Sequence, residues 1–96
     1  MSTVRRLVVD VLKPHDPPLP EFASRLAEVG SVAGVTVSLV ELDREVQNVK
    51  ITVEGGAIEY DEVEAAVENL GGTVHSVDEV ACGEYVVEDR PTQQDH

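Results

Sequence analysis

Five carboxylates stand where they could converge on a cation: Asp10, Glu41, Asp43, Asp78 and Glu79. Hard cations such as Ca²⁺ take about six to eight oxygens from carboxylates, carbonyls and water. No single loop of this chain supplies that number, and the D-x-[DN]-x-[DN]-G spacing of an EF-hand is absent. A site would have to draw acids from separate strands or from two subunits. Taken one at a time, each acid also fits the role of a solvating surface charge. His15 and His75 add imidazoles, which with carboxylates bind transition metals or act as bases. A lone histidine is more often structural, no Cys/His pair has zinc spacing, and His96 falls in the polar tail. There is no P-loop, no GxGxxG and no GxSxG elbow. Cys82 has no basic neighbour in the sequence to activate its thiol. No residue is therefore assigned a catalytic role, and the chain reads as a non-enzyme.

The charge balance narrows the partners. Nineteen Asp and Glu face seven Lys and Arg, for a net charge of −12 on 96 residues. Such a surface repels nucleic acid and anionic lipid, which call for clustered Lys and Arg. It also repels copies of itself, so self-association should depend on salt or divalent cations. The acid-rich, Lys-poor composition resembles that of proteins from extremely halophilic archaea. At 42% hydrophobic residues the chain should nonetheless fold. No apolar run is long enough to span a membrane and no signal peptide is visible, so membrane insertion is not expected. A single cysteine forms no internal disulfide and fits a cytoplasmic setting.

The elements that must position these residues follow from periodicity. Val4–Lys13 alternates Leu7, Val9 and Val11 on one face with Val8, Asp10 and Leu12 on the other. Burying Asp10 would be costly, so its face is assigned to the outside of the sheet. A stiff Pro14–Pro20 connection leads to a short amphipathic helix through Phe22, Leu26 and Val29 that ends at Gly30. Gly34–Leu42 and Val46–Glu54 read as a hairpin turning at Asp43-Arg44-Glu45, with Val37 opposite Ile51 and Leu39 opposite Val49. A second helix carries Tyr60, Val63, Val67 and Leu70, with acids in its first turn, and stops at Gly71-Gly72. A last strand runs from Thr73 to about Val80. Its Val74, Val77 and Val80 do not alternate cleanly, which suggests a bulge. A short strand extension is expected at Glu84–Val87. One domain should occupy residues 1–88, with 89–96 a disordered polar and acidic tail.

The order β-α-β-β-α-β predicts an α+β ferredoxin-like sandwich: a four-stranded antiparallel sheet with two helices on one face and the other face open. Val8, Leu12, Val40 and Leu42 should project from the open face, and exposed apolar residues usually mark a contact. Three strings then become recognisable: Leu7-Val8-Val9-Asp10-Val11-Leu12-Lys13-Pro14-His15, Val40-Glu41-Leu42-Asp43, and Gly71 to Val80 (GGTVHSVDEV). Together they resemble a small archaeal family, domain of unknown function two hundred and eleven, over about Val4 to Asp89. The resemblance implies a ferredoxin-like fold, archaeal origin, multi-subunit assembly, calcium-dependent association and no established enzymatic activity. The extra acidity departs from it and fits a halophilic member.

The leading functional expectation is a self-assembling, non-enzymatic protein. Copies would join through the open face and hairpin into a ring or filament, with Ca²⁺ bridging the five acids and no other cofactor. The rival expectation is a sensor that binds a metabolite at a subunit interface near Lys13–Pro20, where Lys13 and His15 could meet an anion.

Overall fold

In the computed structural model, which describes residues 2–87, six elements follow in the expected order. They are β1 (Val4–Pro14), α1 (Leu19–Ala27), β2 (Gly34–Leu42), β3 (Val46–Glu54), α2 (Tyr60–Asn69) and β4 (Thr73–Cys82). The strands form one antiparallel sheet in the order β2-β3-β1-β4, with β1 and β3 central. This is the ferredoxin-like sandwich.

Alternation in β1 sets the two faces. Leu7, Val9 and Val11 point with Val49, Ile51 and Val53 of β3 into the core, all at most 2% exposed. Phe22 and Leu26 of α1, Val63 and Val67 of α2, and Ile58 cover them. The core is almost entirely aliphatic, and Phe22 is its one large aromatic ring.

Pro20 sits in the first turn of α1, where a missing N–H costs nothing. The helix ends at Ala27 rather than at Gly30. The amides of Glu28 and Val29 bond back to Arg25 and Leu26 in a tightened last turn. α2 carries Asp61 and Glu62 in its first turn, against the positive end of its dipole. It stops at Gly71, whose φ of 90° suits glycine.

β4 continues to Cys82 and is irregular. Val8 faces Glu79 and Val9 faces Val77, which leaves Asp78 as an extra residue. Asp10 faces Ser76 and Val11 faces Val74, which leaves His75 extra. These two bulges explain the broken alternation of Val74, Val77 and Val80. The expected strand at Glu84–Val87 does not form over residues 84–87. The tail from Asp89 lies outside the described residues.

Gly55 marks a close approach between β3 and the α1–β2 connection. Its amide bonds to the Arg5 carbonyl, and a Cβ there would meet the Ser31 carbonyl oxygen at 2.5 Å. Gly55→Ala should therefore push two backbones apart, at a cost of about 1–3 kcal/mol. Thermal unfolding followed by circular dichroism should show a midpoint lower by roughly 4–8 °C per kcal/mol in a domain this small. An unchanged midpoint would show that the loop moves freely.

Candidate functional site: an acidic groove on the open sheet face

The face away from the helices is built in rows across the sheet. One row runs Thr36, Thr52, Val8 and Glu79, and the next runs Ser38, Lys50, Asp10 and Ser76. The face is more polar than alternation in β1 suggested. Val8 projects from it but is only 8% exposed, so the expected contact residue is already covered within its own chain. Leu12 is 37% exposed and Val40 59%, and both remain available.

A bulge in β2 reassigns the end of the hairpin. Leu39 faces Val49, yet Glu41 faces Asn48 and Leu42 faces Gln47, so Val40 is the inserted residue. Past that point the faces exchange. Glu41 joins Asn48 on the open face. Leu42 joins the row of Gln47 and Lys13, which continues the helix-facing side. Leu42 therefore does not project from the open face as expected. It is 61% exposed because it lies towards the hairpin end of that row.

The exchange builds a groove of about 270 Å³ lined by Asp10, Leu12, Glu41, Asp43, Val46, Asn48 and His75. Asn48 Nδ2 donates to Asp10 Oδ1 at 2.6 Å, which fixes one carboxylate oxygen. Asp43 is held at the hairpin turn. Its amide donates to the Val46 carbonyl, its Oδ1 accepts the Arg44 amide at 2.7 Å, and its carbonyl lies 2.9 Å from His15 Nε2. His75 reaches the groove because its bulge turns that part of β4 outward. Three of the five expected acids are thus brought together, with one imidazole and one carboxamide.

The other two acids lie elsewhere. Glu79 pairs with Arg6 at 3.6 Å, and Arg6 also holds Glu54 at 2.6 Å. Asp78 accepts a hydrogen bond from Ser76 Oγ at 2.8 Å. Both line a separate hollow of about 400 Å³ with Val80, Ala81, Cys82 and Val87. Among the described residues, no three His, Cys, Asp or Glu side chains lie close enough to hold a metal ion within one chain. The groove acids could contribute oxygens to a hard cation only with water or a second copy completing the shell.

The loop offered for an anion is occupied by its own contacts. Lys13 is fully covered at the rim of the core, its ammonium 5.4 Å from the Phe22 ring centre. Its Nζ donates to the Pro14 carbonyl at 2.7 Å and to Gln47 Oε1 at 2.9 Å. Loss of solvent pushes the ammonium below its ordinary value of 10.5, partly opposed by the charge of Asp16. Sequence reading missed this burial, since lysine is among the residues least often enclosed.

Between its lowered value and 10.5, Lys13 binds fewer protons folded than unfolded, so stability should rise with pH in that window. Tyr60, raised above 10.0 chiefly by burial and then by Glu64, keeps its proton longer when folded and makes stability fall above 10.0. Urea unfolding of Lys13→Met at successive pH values approaching 10 should lack the rise that the parent shows. Equal slopes would mean that the ammonium is solvated in both states.

The fold and groove together define the class: a small ferredoxin-like domain with a half-polar, acid-lined open face. The chain belongs to the DUF211 family, described as uncharacterized ArCR, whose pattern matches residues 5–96. It is 42% identical over 95 residues to the uncharacterized protein MJ0319 of Methanocaldococcus jannaschii, covering 99% of this chain and 98% of that one. No helix among the described residues is long and apolar enough to cross a membrane.

Proposed function

We propose that this chain is a cytoplasmic, non-enzymatic protein that assembles with copies of itself under the control of a divalent cation, most simply Ca²⁺. The observation that supports the reading is the groove. Asp10, Glu41 and Asp43 line one groove on the open face beside Leu12 and Val46, yet the described residues of one chain do not complete a metal shell. A second copy laid on this face would bring further carboxylates, and a cation at the seam would remove the repulsion between subunits of charge −12. A divalent ion outcompetes K⁺ only where several carboxylates meet, so the response should survive strong salt. His75 at the groove wall would also suit a softer metal, so the ion series should include Zn²⁺. A closing contact gives a ring and a non-closing one a filament.

The alternative, a metabolite sensor at Lys13–Pro20, has less support. Lys13 Nζ and His15 Nε2 already hold partners within the chain.

Light scattering with electron microscopy in concentrated KCl tests the reading, titrating Ca²⁺, Mg²⁺ and Zn²⁺ against EDTA. Growth that one ion drives and EDTA reverses is expected. A fixed particle size under every ion would sink it.

A further inference from the structure

The outer edge of β2 belongs to the longest uncharged stretch of the chain. From Val29 to Val40 (VGSVAGVTVSLV) there is no Asp, Glu, Lys or Arg, in a molecule of net charge −12. β2 and β4 are the two edges of the sheet. An open edge offers unpaired N–H and C=O groups to any passing strand, and proteins blunt such edges with bulges, proline and charge. β4 is blunted in this way: two bulges break its ladder, and Asp78 and Glu79 stand exposed on it. β2 is not. It pairs with β3 without interruption from Gly34 to Leu39 and contains neither proline nor lysine. Among the described residues, no backbone hydrogen bond outside the β2–β3 ladder reaches Gly34–Leu42. Its Val-Thr-Val-Ser-Leu-Val run has strong strand character.

We infer that the β2 edge receives the β2 edge of a second copy, antiparallel, joining two four-stranded sheets into one. The choice of occupant rests on charge and symmetry. Two molecules of charge −12 repel wherever carboxylates face each other, and this neutral edge lets them touch without that opposition. Lys50 stands exposed beside Ser38 on the open face and adds a positive charge next to the seam. An antiparallel strand is also its own complement. A two-fold axis at Val37 sets Thr36 of one copy opposite Ser38 of the other, and the contact closes after two chains. A β2-to-β4 contact would be heterologous, and the β4 bulges would interrupt its ladder. The β2 contact uses no carboxylate and no metal, so it stands apart from the cation-controlled association above.

The test uses the full chain in concentrated KCl with EDTA. Light scattering should give twice the 10.4 kDa chain mass. The double variant Thr36→Lys/Ser38→Lys reduces net negative charge, so general repulsion falls, yet it sets like charges opposite each other across the two-fold. Its dimer should be weaker by at least about tenfold. Mixing it with Thr36→Glu/Ser38→Glu chains should restore pairing. As a check that needs no variant, amide exchange over Gly34–Leu39 of the parent should slow as concentration rises. A dimer that survives the double variant, or exchange independent of concentration, overturns the proposal. So does a monomer at every concentration, which would leave the edge to a strand of another protein. A monomer in EDTA that grows only with Ca²⁺ sinks the edge contact and leaves the cation reading standing. A dimer in EDTA that ignores Ca²⁺ does the reverse.

Discussion

Phe22→Ala should cost about 3–5 kcal/mol, the usual range for deleting a buried aromatic ring. Domains of this size are stable by only about 5–15 kcal/mol, so the variant should sit near the edge of unfolding at room temperature. Three features place the loss at the top of that range. Phe22 is fully buried, it is the one large ring in an aliphatic core, and it lies under the ammonium of Lys13. Removing it opens a cavity and also takes away the face over which a poorly solvated cation rests. Phe22→Leu refills most of the volume and should cost less than about 1.5 kcal/mol. Urea unfolding of the two variants beside the parent measures both. A loss below 1 kcal/mol for the alanine variant would mean that α1 collapses onto the sheet.

Neutralising the groove should have the largest effect on association. In the triple variant Asp10→Asn/Glu41→Gln/Asp43→Asn, cation-driven growth should disappear while circular dichroism stays unchanged, because all three side chains lie at the surface or half-exposed. Single replacements should each raise the Ca²⁺ concentration for half-growth by about tenfold, since affinity for this ion is tuned by ligand charge. Asp78→Asn and Glu79→Gln serve as comparisons. They lie in a different hollow, and Glu79 sits in a partly exposed pairing with Arg6, worth at most about 1 kcal/mol. Growth lost from Asp78→Asn alone would move the contact to the β4 edge.

The fold was legible because the strands obey period two where it matters. Leu7, Val9 and Val11 against Val49, Ile51 and Val53 leave one consistent register, and the hairpin pairing of Val37 with Ile51 follows from the turn length. The groove was half legible. Asp10 could be placed outside because a carboxylate cannot be buried cheaply. Glu41 and Leu42 could not be placed, because their faces depend on one inserted residue, Val40, and a bulge has no sequence signature in a run of residues that all suit a strand. In β4 the broken alternation of Val74, Val77 and Val80 did signal a bulge, but it does not say that His75 and Asp78 are the inserted residues. The role of Asn48 depends on which carboxylate lies across the strand, which alternation alone does not give. Lys13 was misread for another reason. Periodicity puts it on the core face with Val11, but its chemistry argues for solvent, and only the Phe22 ring and the Gln47 amide resolve the conflict.

That covered lysine gives the molecule a reporter of its own opening. The chain has only two lysines, Lys13 and Lys50. Lys50 is exposed, so an amine-reactive reagent meets it in the folded state, whereas the Lys13 amine is enclosed and engaged in two hydrogen bonds. Acylation at Lys13 therefore proceeds only through molecules whose β1–α1 corner has come apart. The ratio of label at the two positions, read by peptide mass, reports how often that corner opens, with the exposed amine as an internal clock for reagent strength and pH.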